Sequence, residues 1–133
     1  MDVRTHLNIS AALVGEPVTL MEGAASARLV TRAEMAADAR GLVHGGFVFG
    51  LADYAAMLAV NDPHVVLGAA EMRFTKPVRV GDTVLATARR VEAKGRKHTV
   101  EVNACVGDVE VFTGTFTTFV LDDHVFGREE AEA

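Results

Sequence analysis

The sequence predicts an α+β domain in which one long apolar helix is wrapped by a curved, mostly antiparallel sheet of about six strands. Three observations carry that expectation. Phe47 to Val60 is a helix-length run without proline, and Asp53 is its one side chain charged at neutral pH. Three β-rich runs follow, about Thr83 to Glu92, Lys97 to Val106 and Val109 to Leu121, joined by the hairpin-like links Ala93-Lys94-Gly95-Arg96 and Gly107-Asp108. A chain of 133 residues buries about two thirds of its unfolded surface and makes one domain, residues 1–133.

The elements follow in order. Residues 2–15 form a short opening in which Leu7, Ile9, Leu13 and Val14 offer an apolar edge for a single turn or short helix, ended by Gly15. Glu16 to Glu22 and Ala24 to Val30 flank Gly23 as a two-stranded hairpin, although alanines are weak strand formers. Thr31 and Glu34 match a capping box for one helical turn ending near Ala37, and residues 38–43 are a loop feeding the central helix. Asn61-Asp62-Pro63 stops that helix, because proline disfavours helical geometry in the residue before it. His64 to Thr75 reads as a long strand, and Pro77 with Gly81-Asp82 turns the chain. The last run alternates Val111, Thr113, Thr115, Thr117 and Phe119 on one face with Phe112, Phe116 and Val120 on the other.

The chemistry starts from the helix. A helix apolar around its circumference is buried on all sides, and about 14 residues rise roughly 21 Å, too short for a bilayer of about 30 Å. A carboxylate in such surroundings is costly unless compensated, which makes Asp53 the first candidate catalytic group. Gly45-Gly46 at the helix start leave first-turn amides open to a ligand oxygen, with the positive end of the helix dipole behind them. Eight residues of helix hold Gly45 and Asp53 about 12 Å apart, yet a reacting carbonyl must lie within about 3 Å of the amide and of the attacking group or its water. If the two serve one site, antiparallel helices of two subunits must supply them, and a two-fold dimer is part of the mechanism.

His44-Gly45-Gly46-x-x-x-x-Leu51-Ala52-Asp53, followed by Met72-Arg73-Phe74-Thr75-Lys76-Pro77-Val78-x-x-Gly81-Asp82, resembles the hotdog-fold acyl-CoA thioesterases, most closely the PaaI-like (phenylacetyl-CoA thioesterase) group. The match runs from about Pro17 to Phe119. It implies a hotdog fold and hydrolysis of an acyl-CoA thioester to free acid and coenzyme A. On that resemblance the Gly45 position is expected to supply an oxyanion-hole amide, and Asp53, across a homodimer interface, to attack or to activate water. His44 is expected to position the loop or the substrate carbonyl, with Gly46 beside it. An asparagine often occupies the place of Asp38 in the resembling family and helps hold the active-site loop; an acid there is a departure that could repel the second carboxylate or accept other hydrogen bonds. Some members carry a hydroxyl residue one turn after the acid, where this chain has Met57. Phe47, Phe49 and Met57 could line an acyl pocket, although Tyr54 and Met57 also suit plain packing.

Charge and composition bound the rest. A net charge of −5 argues against binding driven by general phosphate attraction to nucleic acid. Met1-Asp2-Val3-Arg4 lacks a basic-then-apolar leader, so a cytoplasmic protein without membrane partners is expected. Cys105 is the single cysteine and reads as a packed core thiol; His6, His44, His64, His98 and His124 show no ligand spacing, so no metal and no cofactor beyond the coenzyme A of the substrate are expected. Arg89, Arg90, Lys94, Arg96 and Lys97 concentrate positive charge that either blunts a sheet edge or clamps coenzyme A phosphates, with Arg73 and Lys76 as further contributors. Residues 122–133 read as a frayed acidic tail. Dimers are expected to pair into tetramers.

Two other functions remain open. A hotdog hydratase or dehydratase needs a histidine–acid motif leading into the helix, of which Asp62-Pro63-His64 is an echo after it. An acyl-CoA or acyl-carrier sensor is suggested by Val100 to Gly107, which also resembles the effector domain of the bacterial fatty-acid-synthesis repressor; that family lacks the acid and carries a DNA-binding segment for which no room is expected here. Serine hydrolysis is excluded, since Ser10 and Ser26 are the only serines and neither sits in a nucleophile elbow.

Overall fold

The computed structural model describes residues 1–127, and Glu129, Glu130 and Glu132 of the expected tail lie outside the described residues. Six strands, β1 (Glu16–Met21), β2 (Ala24–Val30), β3 (Val65–Phe74), β4 (Thr83–Lys94), β5 (Lys97–Val106) and β6 (Val109–Val120), form one antiparallel sheet in the order β1-β2-β4-β5-β6-β3. The one α-helix among the described residues, α1 (Gly45–Val60), packs into this curved sheet, chiefly against β2 and β4 and then β5. This is the hotdog arrangement.

The alanines that make β2 a weak strand by propensity explain how the helix fits. Ala25, Ala27, Ala86, Ala88 and Ala104 on the sheet and Ala52, Ala55, Ala56 and Ala59 on α1 are all buried. Small side chains on both surfaces let the helix approach closely, and packing then overrides propensity. Towards β6 the filling becomes large. Phe112 and Phe116 are fully buried, Phe49 of α1 stacks on Phe116 at 5.7 Å, and Phe74 meets Phe112 edge-on at 5.2 Å.

Three local expectations are corrected. The turn after β2 is a 3-10 turn, Ala33–Met35, with no side-chain cap: the Thr31 hydroxyl instead bridges the Arg79 and Asp82 carbonyls (3.0 and 2.7 Å), while Glu34 pairs with Arg32 at 3.0 Å. In the opening, Ser10 O accepts the Val14 amide at 2.9 Å in a single turn, but Leu7 and Leu13 face solvent and only Val3, Ile9 and Val14 reach the core. On β6, Val111 is buried beside Phe112 because a bulge, with Ala104 opposite Phe112 and Cys105 opposite Glu110, puts an extra residue there. In the expected tail, Asp122 forms an ion pair with Arg96.

Asn61 ends the helix in the left-handed conformation (φ 53°), its amide donating to Met57 O at 2.8 Å. Its side chain donates to Asp2 O (2.9 Å) and accepts from the Arg4 amide (2.8 Å), which ties the N-terminal segment to the C-terminal end of α1.

Candidate active site

The chain enters α1 through a braid of backbone hydrogen bonds. Ala37 donates to Leu42 O at 2.7 Å, Val43 to Val78 O at 2.8 Å, Val80 to Gly41 O at 2.8 Å, and His44 to Met35 O at 2.9 Å. Asp38 holds the same loop, its exposed carboxylate accepting the Arg40 and Leu42 amides at 2.9 and 3.2 Å. The acid at this position therefore adds two side-chain hydrogen bonds to the loop.

At the helix start His44 occupies the cap position and no side chain caps the first turn. Phe47 N–H donates to His44 O at 3.0 Å, and the Gly45 and Gly46 amides, the first two of the helix, have no intrahelical acceptor. Gly46 is the tighter of the two positions. A Cβ on Gly46 would lie 3.0 Å from the His44 ring, and one on Gly45 would lie 3.4 Å from the Phe74 ring. The His44 ring stands edge-on to Phe47 at 6.2 Å.

Asp53 lies on the one stripe of α1 that the subunit's own sheet does not cover. Gly50 and Asp53 are half-buried and Gly46 is exposed, whereas Tyr54 and Met57 are core, only 4% and 1% exposed. Gly46, Gly50 and Asp53 recur at helical spacing, and a Cβ on Gly50 would meet nothing within 4 Å. Asp53 Oδ1 is buried without a hydrogen-bond partner among the described residues, and burial pushes the carboxyl pKa from 3.8 up to about 6. Along a single helix the Gly45 amide and Asp53 are about 12 Å apart, so one subunit does not bring them together. His64 and Asp62 lie past the other end of α1, where Asp62 Oδ1 accepts the His64 amide at 2.8 Å.

The basic residues separate. Successive residues of a strand point to opposite faces, and the hairpin divides accordingly. Arg89 pairs with Glu101 at 3.3 Å and, with Arg73, lines a polar groove of about 730 Å³ on the sheet; Arg90 pairs with Glu22 at 3.3 Å in a different cavity, beside Asn61 and His98. Arg96 is bound to Asp122, and Lys94 and Lys97 face each other across the hairpin end. These side chains form no single clamp. Lys76 belongs elsewhere, in a groove of about 300 Å³ beside Gly45 whose walls include Leu42, Val48, Phe74 and Val111.

A family model described as the Thioesterase superfamily matches residues 40–113, which contain the Gly45-Gly46 turn, α1 and Asp53. The chain belongs to the thioesterase superfamily. Among solved structures, protein PH1136 of Pyrococcus horikoshii is 53% identical with a TM-score of 0.94 over 95% of this chain and 97% of that one. A mutant of the phenylacetic acid degradation protein PaaI of Thermus thermophilus is 32% identical with a TM-score of 0.75 over 82% and 93% of the two chains, in keeping with the PaaI-like group. Among curated relatives, the methylthioribose-1-phosphate isomerase of Aquifex aeolicus is 50% identical over 99% of this chain, and the transcription factor FapR of a Thermoanaerobacter species is 32% identical over 62%. The chain spans only 29% and 41% of the lengths of those two proteins.

Within this thioesterase-superfamily chain the structure adds residues that sequence reading did not single out. Leu42 and Phe74 are 42% and 51% exposed and line the groove that holds Gly45, and Arg40 and Arg79 line a hollow that shares Leu42 with it. Arg40 and Arg79 are 39 positions apart, so no local pattern joins them; the Leu42–Arg79 bridge does. Among the described residues no group of three or more His, Cys, Asp or Glu could hold a metal ion, and no helix is long and apolar enough to cross a membrane.

Proposed function

We propose that the protein hydrolyses an acyl-CoA thioester to the free acid and coenzyme A, at a site built from two subunits and without a further cofactor. The carrying observation is Asp53: a carboxylate with a buried, unpartnered oxygen on the uncovered stripe of an otherwise apolar helix. Burial makes that carboxylate more basic, which suits proton abstraction from water near neutral pH.

The open edge of the sheet supports the two-subunit arrangement. Among the described residues β3 pairs with β6 alone, and ten residues of open strand edge are a ready template for a second copy. A two-fold axis normal to the sheet at that edge makes one continuous sheet with both helices on the same side, running antiparallel. Gly45 of one subunit then faces Asp53 of the other. The thioester carbonyl oxygen accepts the Gly45 N–H, with His44 steadying it, and the partner's Asp53 takes a proton from water. The water oxygen bonds to the carbonyl carbon, the tetrahedral intermediate collapses with cleavage of the C–S bond, and the thiolate leaves with the proton returned from the carboxyl group.

A mixing experiment tests this reading. Gly45→Pro removes the amide donor where proline suits a first helical position and His44 is already extended. Asp53→Asn removes the base. Each variant alone should release no thiol from a panel of short, long and aromatic acyl-CoAs. Subunits mixed by unfolding and refolding should recover about a quarter of wild-type activity, since half the dimers are mixed and each carries one intact site. No recovery from folded mixed dimers would refute the shared site. The similarity to FapR favours a second reading, a sensor, for which wild-type protein would bind acyl-CoA saturably and release no thiol from any substrate.

A further inference from the structure

The groove beside Gly45 does not end at Phe74. Its walls Leu42, Pro77 and Val78 are shared with a second hollow of about 280 Å³ whose remaining walls are Asp38, Arg40 and Arg79. The two form one path that is apolar next to the amide and cationic farther out. Arg40, Lys76 and Arg79 are exposed, and among the described residues none of their side chains enters an ion pair. Asp38, the acid in the hollow, turns Oδ1 to the Arg40 and Leu42 amides. By contrast Arg89, Arg90 and Arg96 of the hairpin are paired with Glu101, Glu22 and Asp122.

We propose that this path takes the carrier arm of the thioester: its apolar stretch holds the pantetheine chain, and Arg40 and Arg79, aided by Lys76, bind the phosphates of coenzyme A. The assignment rests on the hydrolase reading for the placement of the reacting carbonyl at Gly45. Its chemistry follows from the residues. An amide-containing chain of methylenes suits a groove with walls of Leu42, Phe74, Pro77 and Val78. Guanidinium groups bind phosphate oxygens in a fork. The braid that leads into Gly45 also sets the backbone of the two arginines side by side, because Leu42 bridges to Arg79 and Gly41 O accepts the Val80 amide at 2.8 Å.

The test compares two thioesters of one acyl group, on coenzyme A and on N-acetylcysteamine, which lacks the phosphates. In the double variant Arg40→Ala/Arg79→Ala, KM for the acyl-CoA should rise about tenfold at low salt, with kcat held within about twofold. The rise should shrink as salt is added. kcat/KM for the N-acetylcysteamine thioester should not change. An equal loss on both substrates, or an unchanged KM for acyl-CoA, would overturn the assignment; so would a rise in KM found only with Lys94→Ala/Lys97→Ala. If wild-type protein hydrolyses neither thioester, it is the hydrolase reading that fails. Calorimetric titration with coenzyme A then decides the groove alone: about tenfold weaker binding by the double variant supports it, and equal or absent binding refutes it.

Discussion

Asp53→Asn should stabilise the protein while abolishing turnover, and the gain should depend on pH. Burial raises the carboxyl pKa from 3.8 to about 6, a difference of about 2 units, or roughly 3 kcal/mol between the protonation states. Below pH 3.8 folded and unfolded chains both hold the proton, and the site carries no ionisation penalty. As pH rises towards 6 the unfolded chain releases its proton first, so stability falls; above the folded pKa the full penalty stands. At pH 4 the penalty is about 0.5 kcal/mol and at pH 8 about 3 kcal/mol. A partner helix N-terminus facing the carboxylate would offset up to about 1 kcal/mol of the latter. Asparagine keeps the shape and carries no charge, so the variant should exceed wild type by about 2 to 3 kcal/mol at pH 8 and nearly match it at pH 4. For a chain of 133 residues that is about 7 to 10 °C in Tm at fixed protein concentration. Thermal unfolding of both proteins from pH 4 to 8 gives the comparison. A variant less stable than wild type at pH 8, or a difference that ignores pH, would mean that the carboxylate is compensated in the native particle and would undo the reasoning.

Three further outcomes are expected. The rate of thioester hydrolysis should follow deprotonation of Asp53, with log kcat/KM rising by about one per pH unit below a pKa near 6 and flat above it; a profile without that limb, measured by thiol release, would take proton abstraction away from Asp53. Gly50→Leu places a side chain where a Cβ meets nothing within 4 Å, so the isolated subunit should gain up to about 1 kcal/mol of helix stability. Sedimentation and activity assays should nonetheless show loss of the dimer or of turnover. Asn61→Ala removes two hydrogen bonds to the N-terminal segment and a residue suited to φ 53°, which should cost about 1 to 3 kcal/mol and speed amide exchange in the opening segment, read by hydrogen-exchange mass spectrometry.

Local patterns exposed the helix and its acid, and failed wherever a partner lay far off in sequence. Asp53 stands out because it interrupts an apolar run, and Gly45-Gly46 because paired glycines before such a run are a local feature. The alanines of β2 look unsuited to a strand until α1 lies on them. Thr31 satisfies the capping pattern with Glu34, yet its hydroxyl goes to Arg79 and Asp82, about 50 residues away, because the loop into the helix needs that tie. Arg89 to Lys97 reads as one basic patch in sequence, whereas strand pleating sends its members to opposite faces. Arg40 and Arg79 carry the reverse lesson. Neither lies in a cluster, and the braid of residues 36–44 with residues 78–80 makes them neighbours.

The same helix geometry that separates the two candidate groups explains why they can coexist. A bare amide at a helix N-terminus and an uncompensated carboxylate two turns later cannot meet within one rigid helix, so neither satisfies the other in the subunit. The amides keep their donors open and the acid keeps its raised pKa. Closing the β3 edges would bring each unfulfilled donor to the partner's unfulfilled acid, with substrate and water between them. What looks like a flaw in one chain, a buried oxygen without a partner beside a glycine that fills no space, is then a preorganised half of a site.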